Sequence, residues 1–222
     1  MNLKKCLILL VLLSACLYGN AEDLDAYLRS KGLVDVSELD STIRVELIYA
    51  TTDNFMGEAV YSGITRAWLH PDAARKLVAA QQLLKKERPD LTLLVYDAAR
   101  PMSVQRRMWK LVRGTDKVNY VSNPANGGGL HNYGMAVDVT LSDESGEPLP
   151  MGTPFDFFGE EAHTNNEEAL LNAGKIDRKA FDNRRLLRRI MRKAGFRIIP
   201  YEWWHFNACS RAEARQSYPV VD

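Results

Sequence analysis

The stretch Gly127-Gly128-Gly129-Leu130-His131-Asn132-Tyr133-Gly134-Met135-Ala136-Val137-Asp138 constrains the fold of this chain more than any other. Three glycines permit positive φ and close approach of backbone to a ligand, so residues 127–129 read as a shaped loop, with a plain flexible loop as the alternative. Met135 to Leu141 then reads as a strand, on which Asp138 points one way and Val137 and Val139 the other. A carboxylate flanked by strand formers is costly to bury unless something positive meets it. The fold must therefore bring Asp138 either a cation or a structural hydrogen-bonding partner.

A second segment, Tyr201-Glu202-Trp203-Trp204-His205-Phe206, supplies another imidazole with a carboxylate three residues before it. Two histidines, one aspartate and one further glutamate are the parts of a hydrolytic zinc site. Such a site usually takes three protein ligands and leaves a fourth position for water, whose pKa falls to about 7. We assign His131, Asp138 and His205 as ligands of a single Zn2+ ion and Glu202 as the general base. A helical metalloprotease would carry H-E-x-x-H, which is absent. The local alternatives are a His131 that only binds backbone and an Asp138 with a purely structural partner.

H-x-x-G-x-A-x-D followed by E-x-W-H resembles the zinc D-alanyl-D-alanine dipeptidases, a branch of the D,D-peptidase and hedgehog-like metallopeptidases. The similarity extends over most of the chain beyond its leader, through Tyr49 to Gly57, Asp97-Ala98-Ala99-Arg100-Pro101 and Pro150 to Asp156. It implies zinc on His131, Asp138 and His205, Glu202 as base, Arg100 stabilising the transition state and Asp156 near the substrate's ammonium group. It also implies the hedgehog/D,D-peptidase fold and hydrolysis of D-alanyl-D-alanine or a related D,D-dipeptide. One departure stands out: that branch often has serine two residues before the first zinc histidine, where this chain has Gly129. Two other readings remain: a D,D- or L,D-carboxypeptidase trimming cell-wall peptides, and a non-catalytic zinc-stabilised module that binds wall fragments. Only the catalytic readings require Glu202.

Residues 1–21 read as an export signal, because Lys4-Lys5 precede an apolar run from Cys6 to Leu13 and then small residues. The run is shorter than the roughly 20 residues a membrane span needs. Leu13-Ser14-Ala15-Cys16 resembles a lipobox, ending the signal at residue 15 and leaving a lipid on Cys16; Gly19-Asn20-Ala21 fits ordinary cleavage. Either leaves the mature protein outside the cytoplasm, periplasmic or lipid-anchored, touching membrane only through that lipid. Loss of Lys4 and Lys5 takes 29 basic residues to 27 against 28 acidic, a balance of −1 with no nucleic-acid footprint. Cys209 is then left unpaired, so no disulfide framework is expected. With 46% hydrophobic and 26% charged residues, 22–222 is expected to form one soluble domain. Oligomeric state is not legible.

Along the chain, Ile43 to Leu47 alternates as a half-buried strand, and Tyr49 to Gly57 reads as a loop in which Tyr49 covers core or lines a pocket. Pro71 to Glu87 has helical spacing with Pro71 at its first position and His70 as an end-capping residue. Leu91 to Tyr96 is a buried strand running into Arg100, for which a structural pair with Asp97 is the local expectation and a catalytic role comes from the resemblance. Ser103 is expected to cap a helix to about Val112, with Val104, Met108, Leu111 and Val112 inside. Asp156 reads locally as part of an exposed acidic loop, and His163 as a surface residue. The basic run from Arg184 to Lys193 carries the apolar stripe Leu187, Ile190, Met191 and Ala194, so its arginines are expected on a solvated helix face. Phe196 to Ile199 is expected as a strand delivering Glu202 and His205 to the sheet edge. Trp203 and Trp204 are expected to pack core on one side and wall a pocket on the other. Segregated helices and short strands make this an α+β domain with a central mixed or antiparallel sheet.

Overall fold

The computed structural model describes residues 24–222. The expected export signal and the expected lipid site at Cys16 lie outside them. The chain enters through short elements: α1 (Leu24–Ser30), β1 (Val34–Asp35), α2 (Val36–Leu39), β2 (Arg44–Val45) and β3 (Trp68–Leu69), with β1 and β3 paired antiparallel. The helix α3 (Pro71–Glu87) follows, bounded as the spacing predicts. Pro71 opens it, where a missing N–H is harmless, and the His70 ring accepts a hydrogen bond from the Asp72 N–H at 3.2 Å. Its Ala74, Leu77, Gln81 and Leu84 are fully buried.

Then come β4 (Thr92–Asp97), α4 (Met102–Val112), β5 (Ala136–Ser142), α5 (Glu167–Asn172), α6 (Arg178–Lys193), β6 (Arg197–Ile198), β7 (His205–Asn207) and α7 (Arg211–Ser217). The main sheet runs β2-β4-β5-β7-β6, with β2 parallel to β4 and the other pairings antiparallel. Every residue of β4 and β5 is buried, so both faces of the sheet centre are covered. Helices α3 and α6 pack on each other and on the sheet. This is the expected α+β architecture with a mixed sheet. Among the described residues no helix is long and apolar enough to cross a membrane.

Four local expectations are corrected. Helix α4 begins at Met102 behind Pro101, so Ser103 lies exposed within the first turn and does not cap it. Leu111 is exposed, although Val104, Met108 and Val112 are buried as the stripe requires. Arg184 is only 2% exposed, although most of the basic run is solvated. Its guanidinium donates to the carbonyls of Met151 at 2.5 Å and Glu161 at 2.8 Å, so backbone acceptors replace the water it gives up. The strand after α6 is only Arg197–Ile198, and it takes the sheet edge itself; β7, which carries His205, lies one strand in, between β5 and β6.

Candidate metal centre and active site

Strand register brings the site together. On the antiparallel pair β5–β7, Asp138 stands directly opposite His205. On the other side of β5, a bulge between Val95 and Asp97 sets Asp97 opposite Asp138. Bulges of this kind re-aim side chains at the ends of strands. His131 arrives from the glycine loop on a one-turn 3-10 helix, Leu130–Tyr133. Two glycines of that segment are sterically required. A Cβ at Gly128 (φ +65°) would stand 2.2 Å from Asn132 Oδ1, and one at Gly134 (φ +63°) would stand 2.8 Å from the His70 nitrogen. Asn132, fully buried, accepts from the Gly129 N–H at 2.8 Å and donates to the Arg100 carbonyl at 2.7 Å, tying the loop to the end of β4.

The three side chains read from sequence as ligands converge. His131 Nε2 lies 3.2 Å from His205 Nδ1, and Asp138 Oδ1 lies 3.3 Å from the first and 2.9 Å from the second. Ligand atoms bonded at about 2.0–2.1 Å to a tetrahedral ion stand roughly 3.3 Å apart, so this triangle has the right edge length for one small divalent cation. The far sides of both rings are also committed. His131 Nδ1 lies 2.7 Å from the Ala98 carbonyl, and His205 Nε2 lies 2.8 Å from Asn207 Oδ1. Carbonyl oxygens only accept, so those nitrogens carry the protons, leaving lone pairs on His131 Nε2 and His205 Nδ1 aimed at the shared point. Among the described residues these three form a His/Cys/Asp/Glu group able to hold a metal ion.

The electrostatics follow from burial and neighbours. Burial opposes the Asp138 charge, but the His131 and His205 imidazoles hold its carboxyl below the usual carboxylate range. With no ion between them, burial opposes protonation of His205, yet its bond to Asp138 pushes its pKa up to about 9, so a cation entering the triangle displaces a proton from Nδ1 and exposes its lone pair. The Glu202 carboxylate lies 3.9 Å from His205 Nδ1, and burial raises its pKa. A carboxylate poised in that way suits proton transfer near neutral pH.

These groups line one cavity of 470 Å3, together with Arg100, Tyr49, Asp156 and Trp204. Arg100 does make the expected pair with Asp97, a short hydrogen bond from Nη2, and it also donates from Nη1 to Gln105 Oε1 at 3.1 Å while lying over the Tyr49 ring. Its buried Nε–H has no partner among the described residues. Asp156 is not part of an exposed loop. It takes a left-handed backbone (φ +57°), accepts from the Tyr49 hydroxyl at 3.0 Å, and keeps a buried Oδ2 without a partner among the described residues. Burial, and then the Asp138 charge, raise its pKa well above the carboxylate range.

Trp204 is 1% exposed and lines the cavity, but Trp203 does not: its indole N–H donates to Thr153 Oγ1 at 2.8 Å, and the Arg184 guanidinium lies over its ring. His163 is half-buried against Tyr201 and is neither in the metal-facing triad nor among the residues that line the cavity. Sequence reading missed Asn207, Gln105 and Tyr61, whose hydroxyl makes a short bond to Asp97. Asn207 alone had a local signal, since it shares a strand face with His205 two residues earlier.

A family model described as D-ala-D-ala dipeptidase, of peptidase family M15, matches residues 29–221. A D-alanyl-D-alanine dipeptidase of Escherichia coli (strain K12) is 35% identical over 189 residues, covering 85% of this chain and 89% of that protein. Proteins of the same name from Streptomyces coelicolor and Enterococcus faecium are 31% and 28% identical, covering 77% and 79% of this chain and 88% and 90% of their own. A match over nearly all of the described residues, on a fold that gathers a metal-holding triad beside a buried glutamate, makes this chain a member of the M15 family of metal-dependent peptidases, the D-Ala-D-Ala dipeptidases.

Proposed function

We propose that this enzyme hydrolyses D-alanyl-D-alanine to free D-alanine, with one zinc ion held by His131, Asp138 and His205. The observation that carries the reading is a pair of orphaned buried atoms in the cavity beside the triad: an acceptor, Asp156 Oδ2, and a donor, Arg100 Nε–H. A free dipeptide offers an ammonium to the first, and its scissile carbonyl, as it gains negative charge, offers an acceptor to the second. Buried polar atoms rarely stay unsatisfied without a reason of this kind.

The ion, when bound, supplies positive charge that activates water and polarises the peptide carbonyl. Glu202 takes the proton of the attacking water and passes it to the leaving amine as the C–N bond breaks. Arg100 donates to the carbonyl oxygen as its charge grows, fixed beforehand by Asp97 and Gln105 so that little reorganisation is needed. Asp156, steadied by the Tyr49 hydroxyl, receives the substrate ammonium; Trp204 walls the pocket. An ammonium held there also selects a free amino end near the scissile bond, which favours dipeptides over longer wall peptides.

Product analysis with D-Ala-D-Ala, a stem peptide ending in D-Ala-D-Ala and L-Ala-L-Ala, each with and without chelator, tests this. The expected result is chelator-sensitive release of D-alanine from the first alone. Trimming of the stem peptide would make the protein a carboxypeptidase, and no cleavage of any would make it a binding module. The compartment is also proposed from residues 1–21, and the mass of the mature chain from a whole cell distinguishes a lipidated Cys16 from cleavage after Ala21.

A further inference from the structure

Gly129 has an ordinary extended backbone (φ −105°, ψ −177°), so nothing in its conformation demands glycine. The space beside it explains the residue. A Cβ at Gly129 would stand 2.9 Å from Ser122 Oγ and 3.3 Å from Ser122 Cβ. The Ser122 side chain thus fills the place that a side chain on residue 129 would take, two residues before His131, and both positions line the active-site cavity.

Ser122 is also held firmly. Val121 before it is buried, and the Ser122 carbonyl accepts from Gln105 Nε2 at 2.7 Å. Gln105 in turn accepts from Arg100 Nη1 at 3.1 Å, so one fully buried amide connects Ser122 to the guanidinium that faces the reacting carbonyl. A face of that guanidinium lies over the Tyr49 ring, whose hydroxyl leads to Asp156. Arg100 therefore stands between the Asp156 end of the cavity and the Ser122 end. The Ser122 hydroxyl itself makes no hydrogen bond to any described side chain.

Resting on the dipeptidase reading above, we propose that Ser122 is a substrate-binding residue, whose hydroxyl donates to the C-terminal carboxylate of the dipeptide. With the ammonium taken by Asp156 and the scissile carbonyl by Arg100, the carboxylate is the remaining charged group, and a hydroxyl on an anchored backbone, without a partner among the described residues, is a suitable donor. A hydrogen bond to a charged group contributes about 1.5–3 kcal/mol when its loss leaves the charge unpaired. Gly129 is small because the hydroxyl reaches the cavity from Ser122 instead.

The test is steady-state kinetics of Ser122→Ala and of the double variant Ser122→Ala/Gly129→Ser, on D-Ala-D-Ala and on its C-terminal amide, with metal content measured alongside. Ser122→Ala is expected to raise KM for D-Ala-D-Ala by about 10–100-fold with kcat and metal content near wild type. The amide, lacking the carboxylate charge, should lose several-fold less. The double variant places a hydroxyl in the vacated space and should recover most of the KM. An unchanged KM in Ser122→Ala, or an equal loss on both substrates, overturns the assignment while leaving the dipeptidase reading intact. Failure of the wild type to cleave D-Ala-D-Ala overturns both.

Discussion

Two buried aspartates face the same cavity with their pKa values pushed in opposite directions. Burial works against ionisation at both. At Asp138 two imidazoles overcome it and hold the pKa down, whereas at Asp156 one tyrosine hydroxyl does not, and the charge on Asp138 adds to the upward push. Asp138 sits on a strand whose register fixes its partner; Asp156 sits on a loop at positive φ, with one oxygen unsatisfied. On the proposed reading the first serves as a standing ligand, and the second becomes favourable as an anion only when a cationic group arrives. Environments that push like groups apart in pKa divide their roles in this way.

The sharpest way to break the comparison is to remove one side of it. His205→Ala should strip the metal and take hydrolysis to background, while Glu202→Gln should keep the metal and lower kcat by about 10²–10⁴-fold. Metal analysis alongside kinetics checks both. Loss of metal in Glu202→Gln would place that carboxylate among the ligands and remove it as the base.

A smaller effect is expected one contact further out. Asn207→Ala leaves the His205 Nε2–H without the acceptor that sets its tautomer. Metal affinity should weaken by about 10–100-fold, read by competition with a chromophoric chelator. Affinity equal to wild type would show that the strand register alone orients His205.

The smallest effect is thermodynamic and has the opposite sign to the functional one. Asp156 has a folded-state pKa raised above the unfolded value near 3.9, so the folded protein binds more protons and loses stability as pH rises from about 4 through that folded pKa. Asp156→Asn removes this term and tolerates the left-handed backbone. The metal-free variant should melt a few degrees higher than wild type at pH 7, with the gain vanishing below roughly pH 4. Its kcat/KM for D-Ala-D-Ala should nevertheless fall, with metal content unchanged. A lower melting temperature at pH 7 would mean that Asp156 is a structural anion instead.

The ease of reading differs between the two ends for a physical reason. Periodicity placed α3 at its observed ends and gave the strand that carries Asp138, because those patterns are written in local spacing. The same rules misplaced Arg184 and Trp203. An arginine in a basic run looks solvated until Met151 and Glu161 carbonyls are seen to surround it, and one indole of a Trp-Trp pair turns to Thr153 while the other faces the cavity. Partners more than twenty residues away leave no trace in spacing.

By itself the sequence determined the chemical inventory: two imidazoles, a strand-borne carboxylate, a spare glutamate, and the local elements that hold each. The tertiary structure alone decided how those parts meet. Register across β5 and β7 set Asp138 against His205, the bulge in β4 brought Asp97 and Arg100 to the same end, and packing carried Ser122 over Gly129. Composition and period fix which groups a chain possesses, but distances of about 3 Å between residues scores of positions apart depend on hydrogen-bonded pairing and close packing of the whole domain.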